Sequence, residues 1–203
     1  MGKLVRLADW RRKSESASDA TQEVIKHLLH KAFPLSGAEA ICIYQECIRL
    51  DPKCAHAYLN LGMETNRLSE AAQGEAAYTL LKEARKHYRT AIKLDPGVVE
   101  AYYNLGCTYI RDKSSAQDDA QAIKYLTKAV ELVQDPELKG NALYNLGQVY
   151  LHVDKRRAWD CYHRYLKLDQ RGEWADNARK ILDRISANYP LCAPTERTLT
   201  LVK

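Results

Sequence analysis

Three stretches of this chain are nearly the same sentence: AHAYLNLGME at 55–64, EAYYNLGCTY at 100–109 and NALYNLGQVY at 141–150. Each sets an Asn two residues before a Gly, as Asn60 and Gly62, Asn104 and Gly106, Asn145 and Gly147. A recurring Leu-Gly pair inside a run of good helix formers asks for the same close neighbour each time. That requirement restricts the chain to a stack of similar units. The spacing supports this: Ala40 to Gly62 and Ala84 to Gly106 are the same 22-residue step, each passing through a Tyr-x-x-x-Ile-x-Leu-Asp-Pro phrase. The phrases are YQECIRLDP at 44–52 and YRTAIKLDP at 88–96, with LTKAVELVQDP at 126–136 and YHRYLKLDQ at 162–170 as looser versions.

Proline disfavours helical backbone in the residue before it, so each Asp-Pro ends one helix and starts the turn into the next. The variable part follows the Gly helices. Gly62 to Ala84 is 22 residues, Gly106 to Ala122 is 16 and Gly147 to Ala158 is 11. The surplus in NRLSEAAQGEAAYTLLKEA consists mostly of helix formers interrupted at Gly74, which predicts lengthened, overhanging helices with an insertion around 68–77. With nine Gly and six Pro in 203 residues, helix is favoured over sheet throughout.

These residues resemble the tetratricopeptide repeat, with its bulky-x-x-Leu-Gly-x-x-Tyr block followed by Ala-x-x-x-aromatic and Pro. Tyr102, Leu105, Gly106 and Tyr109 fit the first block completely. Tyr58, Leu61 and Gly62 fit it with Thr65 in place of the aromatic, and Leu143, Leu146, Gly147 and Tyr150 replace only its opening residue. Ala40 with Tyr44, Ala84 with Tyr88 and Ala158 with Tyr162 supply the second block, Ala122 with Leu126 a weaker one. The resemblance covers about residues 38–170. It implies an all-α fold, an α-solenoid of about four antiparallel helix pairs stacked into a right-handed superhelix plus a capping helix. The array is expected over 21–186, with a degenerate first helix in TQEVIKHLLHKAF and a closing helix in GEWADNARKILDRIS that carries Trp174, Ala178, Ile181 and Leu182 on one stripe. A basic arm at 1–20 and an extended tail at 187–203 flank it.

Composition narrows the function. The formal charge is +5, but the arm and the tail carry more than half of it, so the body lacks the basic stripe that phosphate binding needs. The six Cys, at 42, 47, 54, 107, 161 and 192, form no Cys-x-x-Cys and no disulfide framework, which points to reduced thiols and an intracellular, cytoplasmic setting. The arm has Arg6, Arg11 and Arg12 with Leu4, Leu7 and Trp10 on a possible stripe, leaving organelle import open against its acidic Asp9, Glu15 and Asp19. No apolar run is long enough for a membrane span. No phosphate loop, nucleophile elbow or His-Glu-x-x-His is present, so no enzyme activity and no cofactor are expected. His27 with His30, and Cys54 with His56, lack the second ligand pair that a structural zinc site needs, and no metal is expected either. Cys42 and Cys47 read as small core side chains.

The Asn residues remain. In the first signature Tyr58, Leu61, Gly62 and Thr65 form the core stripe, and Asn60 lies off it with His56, Leu59 and Met63. The equivalent faces carry Glu100, Tyr103, Asn104 and Cys107, then Asn141, Tyr144, Asn145 and Gln148. The resemblance implies that this face lines the concave groove. An amide donates and accepts, so the Asn side chains have two roles open: holding a peptide backbone, or bonding to the neighbouring helix. Their place off the stripe favours the first. The family's clamp for chaperone C-terminal carboxylates is not expected, because, Asn104 excepted, Leu59, Met63, Asn141 and Asn145 stand where its basic and amide groups would be. The reading is a non-catalytic adaptor or assembly factor that takes a peptide segment or helix of another protein in this groove. The alternative is a permanent structural subunit of a larger complex.

Overall fold

The computed structural model describes residues 16–112 and 116–189, which hold nine helices and no strand. They are α1 (Ser16–Ala32), α2 (Ala38–Leu50), α3 (Ala55–Ala71), α4 (Gly74–Leu94), α5 (Val99–Asp112), α6 (Ala116–Leu132), α7 (Pro136–Val153), α8 (Lys155–Leu168) and α9 (Ala175–Asn188). The all-α reading of the sequence is therefore right. Contacts divide the chain into two compact units that meet in sequence at Pro96 and Gly97. In the first, α1 packs on α2, α2 on α3 and α3 on α4; in the second, α5 packs on α6, α6 on α7, α7 on α8 and α8 on α9. Residues 1–15 of the basic arm, and the tail from 190 on, lie outside the described residues. Helix α1 starts at Ser16, so it takes in the last five residues of the expected arm.

Each helix ends where its sequence dictates. Asp51 and Asp95 precede proline and adopt extended backbone, at φ −137° and −140°, while their N–H groups still bond back to Cys47 and Ala91. Asp169 takes the same conformation, φ −136°, with no proline behind it. Its carboxylate substitutes for the ring by accepting from the N–H groups of Gly172 at 2.7 Å and Arg171 at 3.2 Å. Asp135 instead opens α7, accepting from the Leu138 N–H at 2.7 Å, with Pro136 in the first turn.

The three signature glycines settle how the helices pair. A Cβ on Gly62 would lie 2.8 Å from the Tyr88 ring, one on Gly106 2.7 Å from Leu126 Cγ, and one on Gly147 3.0 Å from the Tyr162 ring. The partner is in every case the second-block residue of the next helix. Each repeat is thus a hairpin of a glycine helix and its successor, α3–α4, α5–α6 and α7–α8, and the Asp-Pro turns join one hairpin to the next. Leu126, the weak match, occupies the place of the tyrosines and is fully buried. Thr65, where Tyr109 and Tyr150 stand in the other repeats, is buried with its hydroxyl donated to the Leu61 carbonyl at 2.7 Å.

Pairing of this kind explains the unequal spacing. Because the helices of a hairpin run antiparallel, surplus residues lengthen both together. Helix α3 runs nine positions past Gly62, and α4 begins ten positions before Ala84. Gln73 and Gly74 make the turn, with Gly74 at φ +59°, a backbone region where a side chain is strained. The extension is only partly buried: Ser69 and Leu81 are inside, whereas Tyr78 stays 40% exposed with the Lys82 ammonium 4.6 Å over its ring.

The cysteines separate by helix face. Buried positions on α2 are Ala40, Tyr44 and Cys47, and Cys42 falls outside that stripe and is exposed, contrary to its reading as a core side chain. Burial pushes the Cys47 thiol up to about 11 and the Cys161 thiol up to about 12, so both stay protonated and inert at neutral pH.

Gly106→Ala should be the costliest of the three glycine-to-alanine changes at a signature. Its added carbon meets not only the Leu126 side chain but the Leu126 backbone nitrogen at 3.3 Å, which cannot swing away. A loss of about 1–3 kcal/mol is expected. Gly147→Ala, which meets only ring atoms of Tyr162 at 3.0–3.2 Å, should lose less. Urea unfolding followed by circular dichroism gives the order directly.

Candidate peptide-binding surface

The face expected to line a groove divides into two kinds of residue. On α3, His56 and Met63 are exposed and Asn60 is half-buried, but Leu59 is only 6% exposed. On α5, Glu100 is exposed and Tyr103, Asn104 and Cys107 are half-buried. On α7, Asn141, Asn145 and Gln148 are half-buried, and Tyr144 is 4% exposed. Leu59 and Tyr144 are therefore core residues, and their assignment to a binding groove is corrected.

Tyr144 is held by an aromatic cluster. Its ring meets Tyr162 and Tyr165 edge-on, at centroid distances of 5.5 and 5.4 Å, and Trp174 at 4.9 Å. Such pairs contribute about 0.5–1.5 kcal/mol each beyond area burial. The cluster is how α9 closes the second unit. Trp159 adds a bond from its indole N–H to Ser186 Oγ at 3.2 Å.

Asn145 does not face an empty groove. Its amide nitrogen lies 3.1 Å from the Tyr103 hydroxyl and 3.4 Å from Cys107 Sγ, one turn apart on α5, and donates to both. One helix pair further on, Asn177 of α9 donates to the Tyr144 hydroxyl at 2.6 Å. The two bonds obey one rule. A Tyr placed just before the signature Asn accepts from an Asn on the next first-of-pair helix. The Asn145 amide nitrogen is thus engaged within the second unit, the structural one of the two roles open to it.

The rule has a limit written in the sequence. Tyr103 and Tyr144 precede Asn104 and Asn145, but Leu59 precedes Asn60, so α3 offers no hydroxyl at that position. Asn60 and Asn104 make no side-chain hydrogen bond among the described residues. Their amides remain uncommitted. Asn141 sits elsewhere, in a shallow cleft of about 240 Å³ between the start of α7 and the end of α8, beside Tyr165, Leu168 and Asp169.

The α5–α7 contact is partly desolvated. Burial is the main cause that lifts the Tyr103 phenol above its ordinary value and pushes the Cys107 thiol up to about 11. Both stay neutral at physiological pH, so the Asn145 amide meets no charge and no nucleophile. Sequence reasoning missed Asn177 as a partner of this set. The available signal was the Tyr-Asn dipeptide, present at 103–104 and 144–145 and absent at 59–60.

Asn145→Ala and Tyr103→Phe should each cost on the order of 1 kcal/mol of stability, and the double variant little more than either. Asn104→Ala should stay within roughly 0.5 kcal/mol. A double-mutant cycle by urea unfolding measures the coupling. Strict additivity of the Asn145 and Tyr103 effects would mean that the bond contributes nothing.

Comparison with known proteins supports the same architecture. No curated protein sequence matches the chain. Among solved structures, the crystal structure of MamA shares 21% identity and a TM-score of 0.59 over 75% of this chain and 78% of that one. PilF of Pseudomonas aeruginosa shares 18% identity and a TM-score of 0.59 over 85% of this chain and 69% of its own. TTC0263, a thermophilic TPR protein of Thermus thermophilus, shares 16% and 0.56 over 74% and 73%. At such identities the likeness is one of fold. Sequence patterns of the repeat itself match residues 81–112, as TPR repeat, and 99–135, as tetratricopeptide repeat. The second match spans the α5–α6 hairpin with its Gly106–Leu126 contact. The signatures, the hairpins and these matches agree that residues 81–135 carry tetratricopeptide repeats.

Proposed function

We propose that the chain is a non-catalytic adaptor or assembly factor that takes a peptide segment or helix of another protein on the first helices of its repeats. Protein–protein interaction is the general work of tetratricopeptide repeats. The observation that carries the finer reading is the strip His56, Asn60 and Met63 on α3. Met63 is 47% exposed on a helix that buries Leu59 and Leu61, and the Asn60 amide beside it has no bond to satisfy it. An uncommitted amide next to a flexible apolar side chain suits a peptide, whose backbone needs hydrogen bonds and whose side chains need adaptable contact. In the second unit, Glu100 and Asn104 offer the corresponding positions on α5. Among the described residues no helix is long and apolar enough to cross a membrane.

A second reading, a permanent subunit of a larger complex, draws on the outer surface. Phe33 is 86% exposed at the end of α1 and Val153 57% exposed at the end of α7. Burial of such groups in an assembly would remove apolar area from water and so be favourable.

Affinity capture with the full chain tests the first reading. The double variant Asn60→Ala/Asn104→Ala should lose a captured protein by well over tenfold while its far-ultraviolet circular dichroism stays unchanged. Unaltered capture would overturn the role of the amides. Native size measurement separates the second reading: co-migration of the entire population with one large assembly, insensitive to both Asn changes, would favour the permanent subunit.

A further inference from the structure

At the far end of the second unit, the last turn of α7, the first turn of α8 and the second half of α9 enclose a cleft of about 560 Å³. It is lined by Leu151, His152, Lys155, Ile181, Arg184 and Ile185, closed off by Asn188 and Tyr189. The volume falls in the range of ligand sites. Its floor is apolar, with Ile185 buried and Leu151 and Ile181 half-buried. Its rim is basic, and no lining residue is acidic. Tyr189, 48% exposed, adds an aromatic wall with the Lys155 ammonium 6.0 Å over its ring.

Two observations speak for an anionic occupant. Helix α8 begins with Lys155, Arg156 and Arg157 and has no acid in its first turn. A helix N-terminus carries partial positive charge, so three cations there oppose the fold's own electrostatics. The N-cap Asp154 answers part of this charge, pairing with Arg157 at 3.5 Å, and Lys155 donates to the Leu151 carbonyl. The Arg184 guanidinium on the opposite rim is exposed and has no ion pair among the described residues.

We infer that this cleft is a docking site for an acidic amphipathic segment of another protein, whose apolar side chains fill the floor while its carboxylates meet Arg184, His152 and the start of α8. The inference deepens the protein-binding reading but uses none of the residues of the Asn strip. The chain's own residues 190–203 are a poor match, since they carry two basic side chains against one acidic.

The test uses the full chain and a panel of fluorescein-labelled 16-residue amphipathic peptides. All share the same leucines, with net charge stepped from −6 to +6 by exchanging Glu for Lys, and binding is read by anisotropy at physiological salt. Affinity should rise steadily with negative charge. Arg184→Glu should reduce the affinity of the most acidic peptide at least tenfold. Lys93→Glu, an equal change of charge at an exposed site of the first unit, should alter it less than twofold. Replacing the leucines of that peptide with Ser should abolish binding. Several results would overturn the assignment: affinity independent of peptide charge, equal losses in both variants, or binding that survives without leucine. So would displacement of the probe by a peptide of residues 190–203, stronger Arg184-dependent binding of polyuridylate RNA than of any peptide, or self-association lost with Arg184→Glu. Asn60→Ala/Asn104→Ala should leave the anisotropy unchanged, so failure here and failure of the Asn strip are distinguishable.

Discussion

The fold depends on a steric vacancy. At Gly62, Gly106 and Gly147 the side chain of the next helix occupies the space where a Cβ would be. That approach brings two helix backbones close enough for Tyr88, Leu126 and Tyr162 to be wholly buried between them. Interiors pack at near-crystalline density, so the occupant matters less than the fit; Leu serves in one hairpin and Tyr in two. Once the hairpin is fixed at this point, surplus length can leave only at its open end. The α3–α4 overhang follows from that geometry without altering the packed half of the repeat.

How far the sequence could be read depends on the range of the interaction. Helix boundaries at Asp51, Asp95 and Asp135 are local, set by a proline and a carboxylate within a few residues, and they were legible. The aromatic of the second block could be named as core from spacing alone, but its partner could not. The 22-residue step from Ala40 to Gly62 crosses from one hairpin to the next, and the Gly contacts the helix that follows. The exposure of Cys42 has a similar cause. Being one turn from Cys47 in the sequence is insufficient when the buried stripe runs through Ala40 and Tyr44.

The signature asparagines show the boundary between legible and hidden most clearly. Spacing placed Asn60, Asn104 and Asn145 together off the core stripe. What each one meets depends on a residue on another helix, a tyrosine hydroxyl for Asn145 and none committed for Asn60 or Asn104. Equal positions in a repeat are equal only with respect to the repeat's own core. Tyr144 makes the same point: the residue before the Asn is a half-buried acceptor in α5 and the centre of a four-ring cluster in α7, because only there does Trp174 lie against it.

A hydrogen bond spent inside the stack is unavailable to a partner, and this sorts the surface. The contact of α5 with α7, and of α7 with α9, satisfies its amides and hydroxyls within the second unit. Groups left to recognise another molecule are then those at odds with their own surroundings. Other helices place their charges with the dipole: α1 has Asp19, α6 has Asp118 and Asp119, and α9 has Asp176 in the first turn. Helix α8 alone among the helices from α6 onward opens with three cations and no acid, beside a cleft whose walls supply none. Sequences are locally consistent where only folding is at stake, and a departure that the N-cap Asp154 compensates only in part is compatible with a requirement from outside the chain. The start of α8 carries such a departure, and the Asn145–Tyr103 bond ties α7, on which α8 packs, to α5 within the same unit.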